Sequence, residues 1–444
     1  MQDKKKYALC WVSLGCPKNL VDTERTLGRL VERGWLISEN PEDADIVVVN
    51  TCGFICEATA ESIAVLRELA ERKKEAGFGL IAAGCLVERM GNALSAEVPE
   101  VDALVGLADA DEIEEACREI LLGRGRLFKR KPQVLHDDRA RLRVTPRHYA
   151  YLRVTEGCDN CCSYCVIPLI RGKLISKPLE MVIAEAHELV EDGARELIII
   201  GQDTTAYGSD LPGRENLASL LRELCRVPAT WIRLLYAHPA HLTAQVVDTV
   251  AANDKIVNYF DLPIQHINDS ILRNMNRMVT RKRTEQLIDR IRKTVPGAVI
   301  RTSVIVGLPG ETEEAFEELL QFIEDVRFER LGAFAYSREE GVPACDFPDQ
   351  VPEEVKNRRL EIIMERQQKI AAEFARSMVG KTVDVVIERK SKQKRRLWEG
   401  RTYADAPDVD GIIYLPGKDF EPGTFTKAKV TRAFDYDLQG EVIT

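Results

Sequence analysis

No stretch of the 444 residues holds the roughly 20 consecutive apolar positions that a bilayer-spanning helix needs. The N-terminus, Met1-Gln-Asp-Lys-Lys-Lys6, runs straight into a strand-like pattern and shows no apolar leader. Basic excess is missing too: 62 Lys and Arg stand against 71 Asp and Glu, a net charge of −9. Phosphate contacts dominate nucleic-acid affinity, so a chain devoted to free nucleic acid carries a basic footprint. The acidic balance suits a basic protein partner better. These absences predict a cytoplasmic protein without membrane contact, for which RNA contact is possible but not favoured. In a reducing compartment, 12 cysteines point to metal or redox chemistry more than to disulfides.

Three of those cysteines, Cys158, Cys162 and Cys165, are spaced Cys-x-x-x-Cys-x-x-Cys directly after a strand-like run, Tyr149–Thr155. Three thiolates can hold three irons of a cubic four-iron cluster and leave the fourth iron open to a non-protein ligand. The alternative is structural zinc, which usually takes four ligands from two close pairs. Only one close group exists here, and His148 and His187 lie at no zinc-finger offset. Cys161, inside the loop, does not fit the spacing and reads as a bystander.

Upstream, residues 6–122 alternate strand-like runs (Tyr7–Leu14, Asp45–Asn50, Leu80–Ala83) with amphipathic helical patterns (Asn19–Gly34, Glu57–Gly77, Ala110–Leu122). Such alternation predicts a parallel sheet covered by helices on both faces, with ligands at the carboxyl ends of the strands. A cysteine closely follows each strand: Cys16, Cys52 and Cys85. Each alone reads as a small core residue. Together, one strand-plus-helix unit apart and each beside a glycine, they read as a second trio of ligands on one sheet edge. Cys10, Cys56, Cys117, Cys225 and Cys345 read as packing residues.

The cysteine loop at 158–165 resembles that of the radical S-adenosylmethionine enzymes. A three-cysteine domain ahead of such a core resembles the methylthiotransferases. Ser-Leu-Gly-Cys-Pro-Lys-Asn-Leu-Val-Asp at 13–22 is similar to the RimO branch, which modifies a ribosomal protein. The tRNA-modifying branch, MiaB, typically has Gly-Cys-Gln-Met-Asn at its first cysteine. The resemblance covers essentially the whole chain and implies an enzyme with two [4Fe-4S] clusters and S-adenosyl-L-methionine. One cluster would sit on Cys16, Cys52 and Cys85, the other on Cys158, Cys162 and Cys165. The implied reaction adds a methylthio group to the β-carbon of an aspartate of small-subunit ribosomal protein S-twelve. The electron would come from a donor such as flavodoxin or ferredoxin. The resemblance also implies S-adenosylmethionine contacts at Tyr164, Gln265 and the Gly307 turn. The alternative is tRNA-adenosine methylthiolation.

From Tyr149 on, six strand patterns alternate with helical ones: Tyr149–Thr155, Glu196–Gly201, Trp231–Tyr236, Tyr259–Ile264, Ala298–Val306 and Arg330–Tyr336. They fit the partial (β/α)6 barrel of the family, with chemistry at the carboxyl ends of its strands. His238, His241 and His266 read as polar lining or proton donors. Pro352–Met378 reads as a long helix whose stripe, including Leu360, Ile363, Met364 and Ile370, faces a core. Five short strand patterns after Val379 suggest a small closed barrel resembling the TRAM domain. The expected organisation is α/β multidomain: an N-terminal parallel α/β sandwich at 5–122, a solvated basic linker at 123–143, a radical core at 144–374, and a TRAM-like antiparallel barrel at 376–444. TRAM domains often bind RNA, yet 378–444 carries 12 Lys and Arg against 11 Asp and Glu. Lys390–Arg396 reads as a hairpin tip. The loop holding Asp405, Asp408 and Asp410 reads as a face for a basic protein.

Overall fold

A computed structural model describes residues 6–443, apart from 108, 125–126, 130–134, 395 and 418. The N-terminal unit is a six-stranded parallel sheet. Its strands are β1 (Ala8–Ser13), β2 (Leu36–Ser38), β3 (Ile46–Thr51), β4 (Gly79–Gly84), β5 (Ala103–Val105) and β6 (Leu127–Lys129), in the order β2-β1-β3-β4-β5-β6. Central β3 and β4 are buried along their whole length, as apolar runs in a two-faced parallel sheet must be. Separate apolar cores lie on the two faces, one around Val47, Leu66 and Leu80, the other around Leu27, Val48 and Ile113. The three expected strands are present. Three more, of three residues each, flank them and are too short to show a hydrophobic period.

The stretch 123–143 is not only a solvated connection. Leu127–Lys129 pairs with β5 and extends the first sheet. Asp138 is fully buried and Arg141 nearly so, both in ion pairs along the seam between the first unit and the core. Charges at that depth are costly unless paired, which is why this basic segment is pinned by carboxylates.

The core follows. Strands β7 (Tyr149–Arg153), β10 (Glu196–Ile200), β11 (Trp231–Leu234), β12 (Ile256–Asp261), β13 (Val299–Val306) and β14 (Arg330–Ala335) pair in parallel and in chain order; the sheet is open. This is the expected six-unit partial barrel. The fourth strand ends three residues earlier than expected, at Asp261; Pro263 follows and offers no N–H to a ladder. Two-residue strands β8 (Thr155–Glu156) and β9 (Ile175–Ser176) pair antiparallel and close the base of the loop that carries Cys158, Cys162 and Cys165.

Helix Glu353–Met378 joins the core to the last unit. Ile363 and Ile370 pack in the core of the partial barrel, Ala375 and Met378 in the core of the small one. Met364, expected on the buried stripe, is exposed. Strands β15 (Thr382–Lys390), β16 (Leu397–Thr402), β17 (Ile413–Pro416), β18 (Phe425–Ala433) and β19 (Leu438–Ile443) form a closed barrel. Strands β15 and β16 pair antiparallel, and the Ser391 N–H donates to the Leu397 carbonyl at 2.9 Å, as at the neck of a hairpin.

The small barrel abuts the amino ends of the core strands. Val386, Ala404, Ala406 and Phe425 pack with Tyr149, Trp231 and Tyr259. Glu196, the first residue of β10, accepts bonds from Arg233 at 2.7 Å and Arg401 at 2.6 Å. Arg330, the first residue of β14, pairs with Asp405 at 2.5 Å, and Tyr259 donates to Asp410 at 2.6 Å. The acidic loop is therefore not an open face for a basic protein. Asp405 and Asp410 are buried against core cations; only Asp408 of the three is exposed.

Glu388 of β15 bonds Arg401 at 2.6 Å and lies 3.5 Å from His148. Burial alone would raise its carboxyl, but His148 and Arg401 outweigh it and hold the pKa near about 2. A depressed carboxylate stabilises the fold above its unfolded pKa of about 4.3 and loses that contribution as pH falls towards 2. Denaturant titrations should therefore show a stability loss on the order of 3 kcal/mol between about pH 4.5 and 2 that is absent in Glu388→Gln.

Candidate active site

A parallel sheet ordered β2-β1-β3-β4 reverses direction between β1 and β3, and the crevice outside the carboxyl ends there is where such sheets take ligands. Cys16 and Cys52 flank that point, and Cys85 follows the next strand along. The loops are drawn tight. A Cβ on Gly15, which has φ +88°, would lie 2.8 Å from the Cβ of Cys52 and 3.0 Å from its Sγ. Only glycine fits that conformation and that gap.

Asn19 is the hub that holds the three loops. Its Nδ2 donates to the carbonyls of Leu14 at 3.1 Å and Thr51 at 3.0 Å. Its Oδ1 faces the Sγ of Cys85 at 3.3 Å and accepts from Arg171 at 2.6 Å. Arg171 comes from the core, six residues beyond Cys165. It also donates to Cys85 Sγ at 3.4 Å and pairs with Asp22 and Glu156, each at 3.0 Å. Cys85 packs with Val166 and Ile170, the residues between Cys165 and Arg171. The two cysteine trios thus share a wall.

In the second trio, the N–H of Cys158 donates to Gly172 at 3.1 Å and that of Cys165 to Cys162 at 3.1 Å, which folds the loop over its base. Cys161 is exposed and turned to its own strand of loop, with Sγ 3.6 Å from the Asp159 carbonyl. It is the exposed one of the four thiols in this loop. Asn160 donates to Asp203 at 2.7 Å, and Asp203 meets His241 at 2.7 Å. His238 accepts from the N–H of Ala240 through Nδ1 at 3.1 Å. Asp203, His238 and His241 are the one group, among the described residues, whose metal-ligating atoms lie within 4.8 Å of one another. Asp203 is taken up by Asn160, Thr205 and His241, so it anchors the loop.

Neither cysteine trio is drawn that closely together. Tetrahedral zinc with bonds of about 2.3 Å would put its sulfurs about 3.8 Å apart. The wider spread fits a polynuclear cluster, as do the all-thiol donor sets. Every cysteine is free of disulfide. Burial pushes the thiols of Cys85 and Cys165 up to about 12 and Cys158 up to about 11. Cys16 departs from this: burial opposes it, but Lys18, Arg171 and two backbone N–H groups bring its pKa down.

The remaining expected contacts line the same mouth. The Tyr164 hydroxyl accepts from Arg277 at 3.1 Å. Gln265, at φ +67°, bridges to β13 through its backbone, with its side chain half-buried beyond the end of β12. Gly307, at φ +74°, donates its N–H to Glu311 at 2.7 Å, and a Cβ there would meet Lys356 at 2.2 Å. Thr312 caps the helix Glu313–Val326 that follows. The turn is thus a helix entry whatever else it does. His266 is fully buried and packed near Glu311. Sequence reasoning missed Lys18, Asn19, Asp22 and Arg171. Three of them lie within the motif at 13–22, so a signal existed; Arg171 offered none.

Fold and site together define a radical S-adenosylmethionine methylthiotransferase with a terminal TRAM barrel. Family models agree: the radical SAM superfamily matches residues 152–323, an uncharacterized protein family, UPF0004, matches 8–106, and the TRAM domain matches 379–443. A protein of Trichlorobacter lovleyi called ribosomal protein uS12 methylthiotransferase RimO is 43% identical over 100% of both chains. A Geobacter sulfurreducens protein of the same name is 45% identical over 99% of both. The chain belongs to the RimO family of methylthiotransferases. Among solved structures, the radical S-adenosylmethionine methyltransferase TsrM from Kitasatospora setae has a TM-score of 0.57 at 16% identity, over 77% of this chain and 74% of that one. That likeness concerns the fold alone. The radical domain implies an iron–sulfur cluster and S-adenosylmethionine. Among the described residues no helix is long and apolar enough to cross a membrane.

Asp22 sits half-buried between Arg153 at 2.6 Å and Arg171 at 3.0 Å, and its pKa is held far down by both, against desolvation. Replacing Arg171 with Ala should cost about 3 kcal/mol or more in urea unfolding of the metal-free protein. A loss under about 1 kcal/mol would mean that the seam is held elsewhere.

Proposed function

We propose that the protein adds a methylthio group to the β-carbon of an aspartate of ribosomal protein uS12 in the cytoplasm. Cys158, Cys162 and Cys165 would hold one [4Fe-4S] cluster, and Cys16, Cys52 and Cys85 a second. Tyr164, Gln265 and the Gly307 turn would face S-adenosylmethionine. A small electron carrier such as flavodoxin or ferredoxin would supply the electron. When bound, these groups supply a radical able to take hydrogen from an unactivated carbon, and the sulfur that replaces it.

The chain's own part is placement. The observation that supports two cooperating sites is the shared wall, where Arg171 from the core reaches Cys85 of the first unit at 3.4 Å. Asn19 fixes the three loops of one trio relative to that arginine. The Asp203–Asn160 bond fixes the loop of the other. Holding both trios on one cavity makes the encounter effectively intramolecular, and burial excludes water that would quench a radical. The relatives' printed name supports uS12 as substrate. The TRAM barrel and its basic hairpin support RNA contact, which would serve docking on the ribosome.

Mass spectrometry of ribosomal proteins from cells with and without the gene should show a methylthio mass gain on uS12 in the first only. A gain on tRNA adenosine instead would transfer the assignment to the other branch. Anaerobically reconstituted protein should hold about eight irons, and Cys52→Ala about four. That variant should still cleave S-adenosylmethionine and transfer no sulfur; full methylthiolation by it would end the two-cluster reading.

A further inference from the structure

Lys18 is a buried cation without a carboxylate partner. It lies in the first turn of helix Pro17–Glu32, two residues after Cys16, and is 8% exposed. Its Nζ rests 3.5 Å from the ring centroid of Tyr236, at the carboxyl end of β11. The groups that act on its charge are Tyr236, Cys16 and Arg171; no carboxylate is among them. The other cations of this seam, Arg277 apart, are matched by carboxylates. Arg171 has Asp22 and Glu156, Arg153 has Asp22, Asp138 and Glu156, and Lys177 has Asp138 and Glu185. Arg277 is turned onto Tyr164 and the Pro263 carbonyl, on the side of the Cys162–Cys165 loop.

The platform under Lys18 is built. Tyr236 has φ +60°, a conformation that an aromatic residue adopts only when its surroundings impose it. Its N–H donates to buried Asp261 at 2.8 Å, and its carbonyl accepts from the N–H and hydroxyl of Thr204, both at 3.1 Å. The ring is thereby aimed out of the barrel mouth towards the first trio. A lysine head on an aromatic face gains cation–π stabilisation while keeping donors free for a ligand. Its one anionic neighbour is the Cys16 thiolate, which a cluster would claim, so the ammonium keeps donors for an anion that arrives from outside.

We propose that Lys18 receives the side-chain carboxylate of the substrate aspartate and selects an acidic side chain for modification. This rests on the substrate reading above. The carboxylate is bonded directly to the carbon that reacts, so fixing it beside Cys16 fixes the β-carbon between the trios.

The test is binding, read without turnover. Two fluorescent peptides are made around the uS12 residue that gains mass, one with the natural aspartate and one with asparagine. Their affinities are measured anaerobically for wild type, Lys18→Met and Lys18→Gln, with iron content and thermal unfolding confirming that each variant is folded and loaded. Wild type should prefer the aspartate peptide by about tenfold or more, and the preference should fall to near one in both variants. A preference that survives in either folded variant overturns the role of Lys18 and leaves the substrate reading standing. Failure of wild type to bind either peptide, with uS12 unmodified in cells, overturns both.

Discussion

The structure turns on one guanidinium. Arg171 leaves the second cysteine loop, crosses the seam and meets Asn19, Asp22 and Cys85 of the first unit while holding Glu156 of its own. A buried arginine must satisfy its donors, and its planar fork does so only if all of these partners stand at fixed angles. The requirement acts in both directions. It seats the first sheet's switch point over the mouth of the barrel, and it keeps the cysteine loop pressed against Cys85. That requirement brings the two cysteine sites against one wall.

The two ends of the partial barrel are then used for different purposes. At the carboxyl ends stand the thiols, Tyr164, Tyr236 and Gln265, two of them in left-handed backbone conformations. At the amino ends stand Glu196, paired with Arg401 of the small barrel, and Arg330, paired with its Asp405. An open six-stranded sheet leaves its interior exposed at both ends. The first unit covers one and the TRAM barrel covers the other, so the C-terminal module stabilises the core. Charge carries the seam between modules because packed apolar surface alone does not fix an angle, whereas bidentate ion pairs do.

Local chemistry was legible at a distance. Three thiols at Cys-x-x-x-Cys-x-x-Cys after a strand are written in eight contiguous residues, and the trio Cys16, Cys52 and Cys85 repeats at the length of one strand-plus-helix unit. The core strands were visible as apolar runs, except where Pro263 was read into β12. Strands β2, β5 and β6 were not visible, since three residues carry no period. The acidic loop at 405–410 misled because exposed and buried aspartates look alike in one dimension; their burial depends on Arg330 and Arg301, met from about 75 to 110 residues away.

The chain by itself determined its elements, the order of its modules and the thiols that mark two sites, because spacing and hydrophobic period are properties of neighbours. Only the tertiary structure decided that the trios share a wall, that the aspartate loop is a lock, and that Lys18 stands on Tyr236 with no carboxylate beside it. Each of those facts is a pairing across modules, and such a pairing exists only once the backbone has brought distant residues within reach of a hydrogen bond.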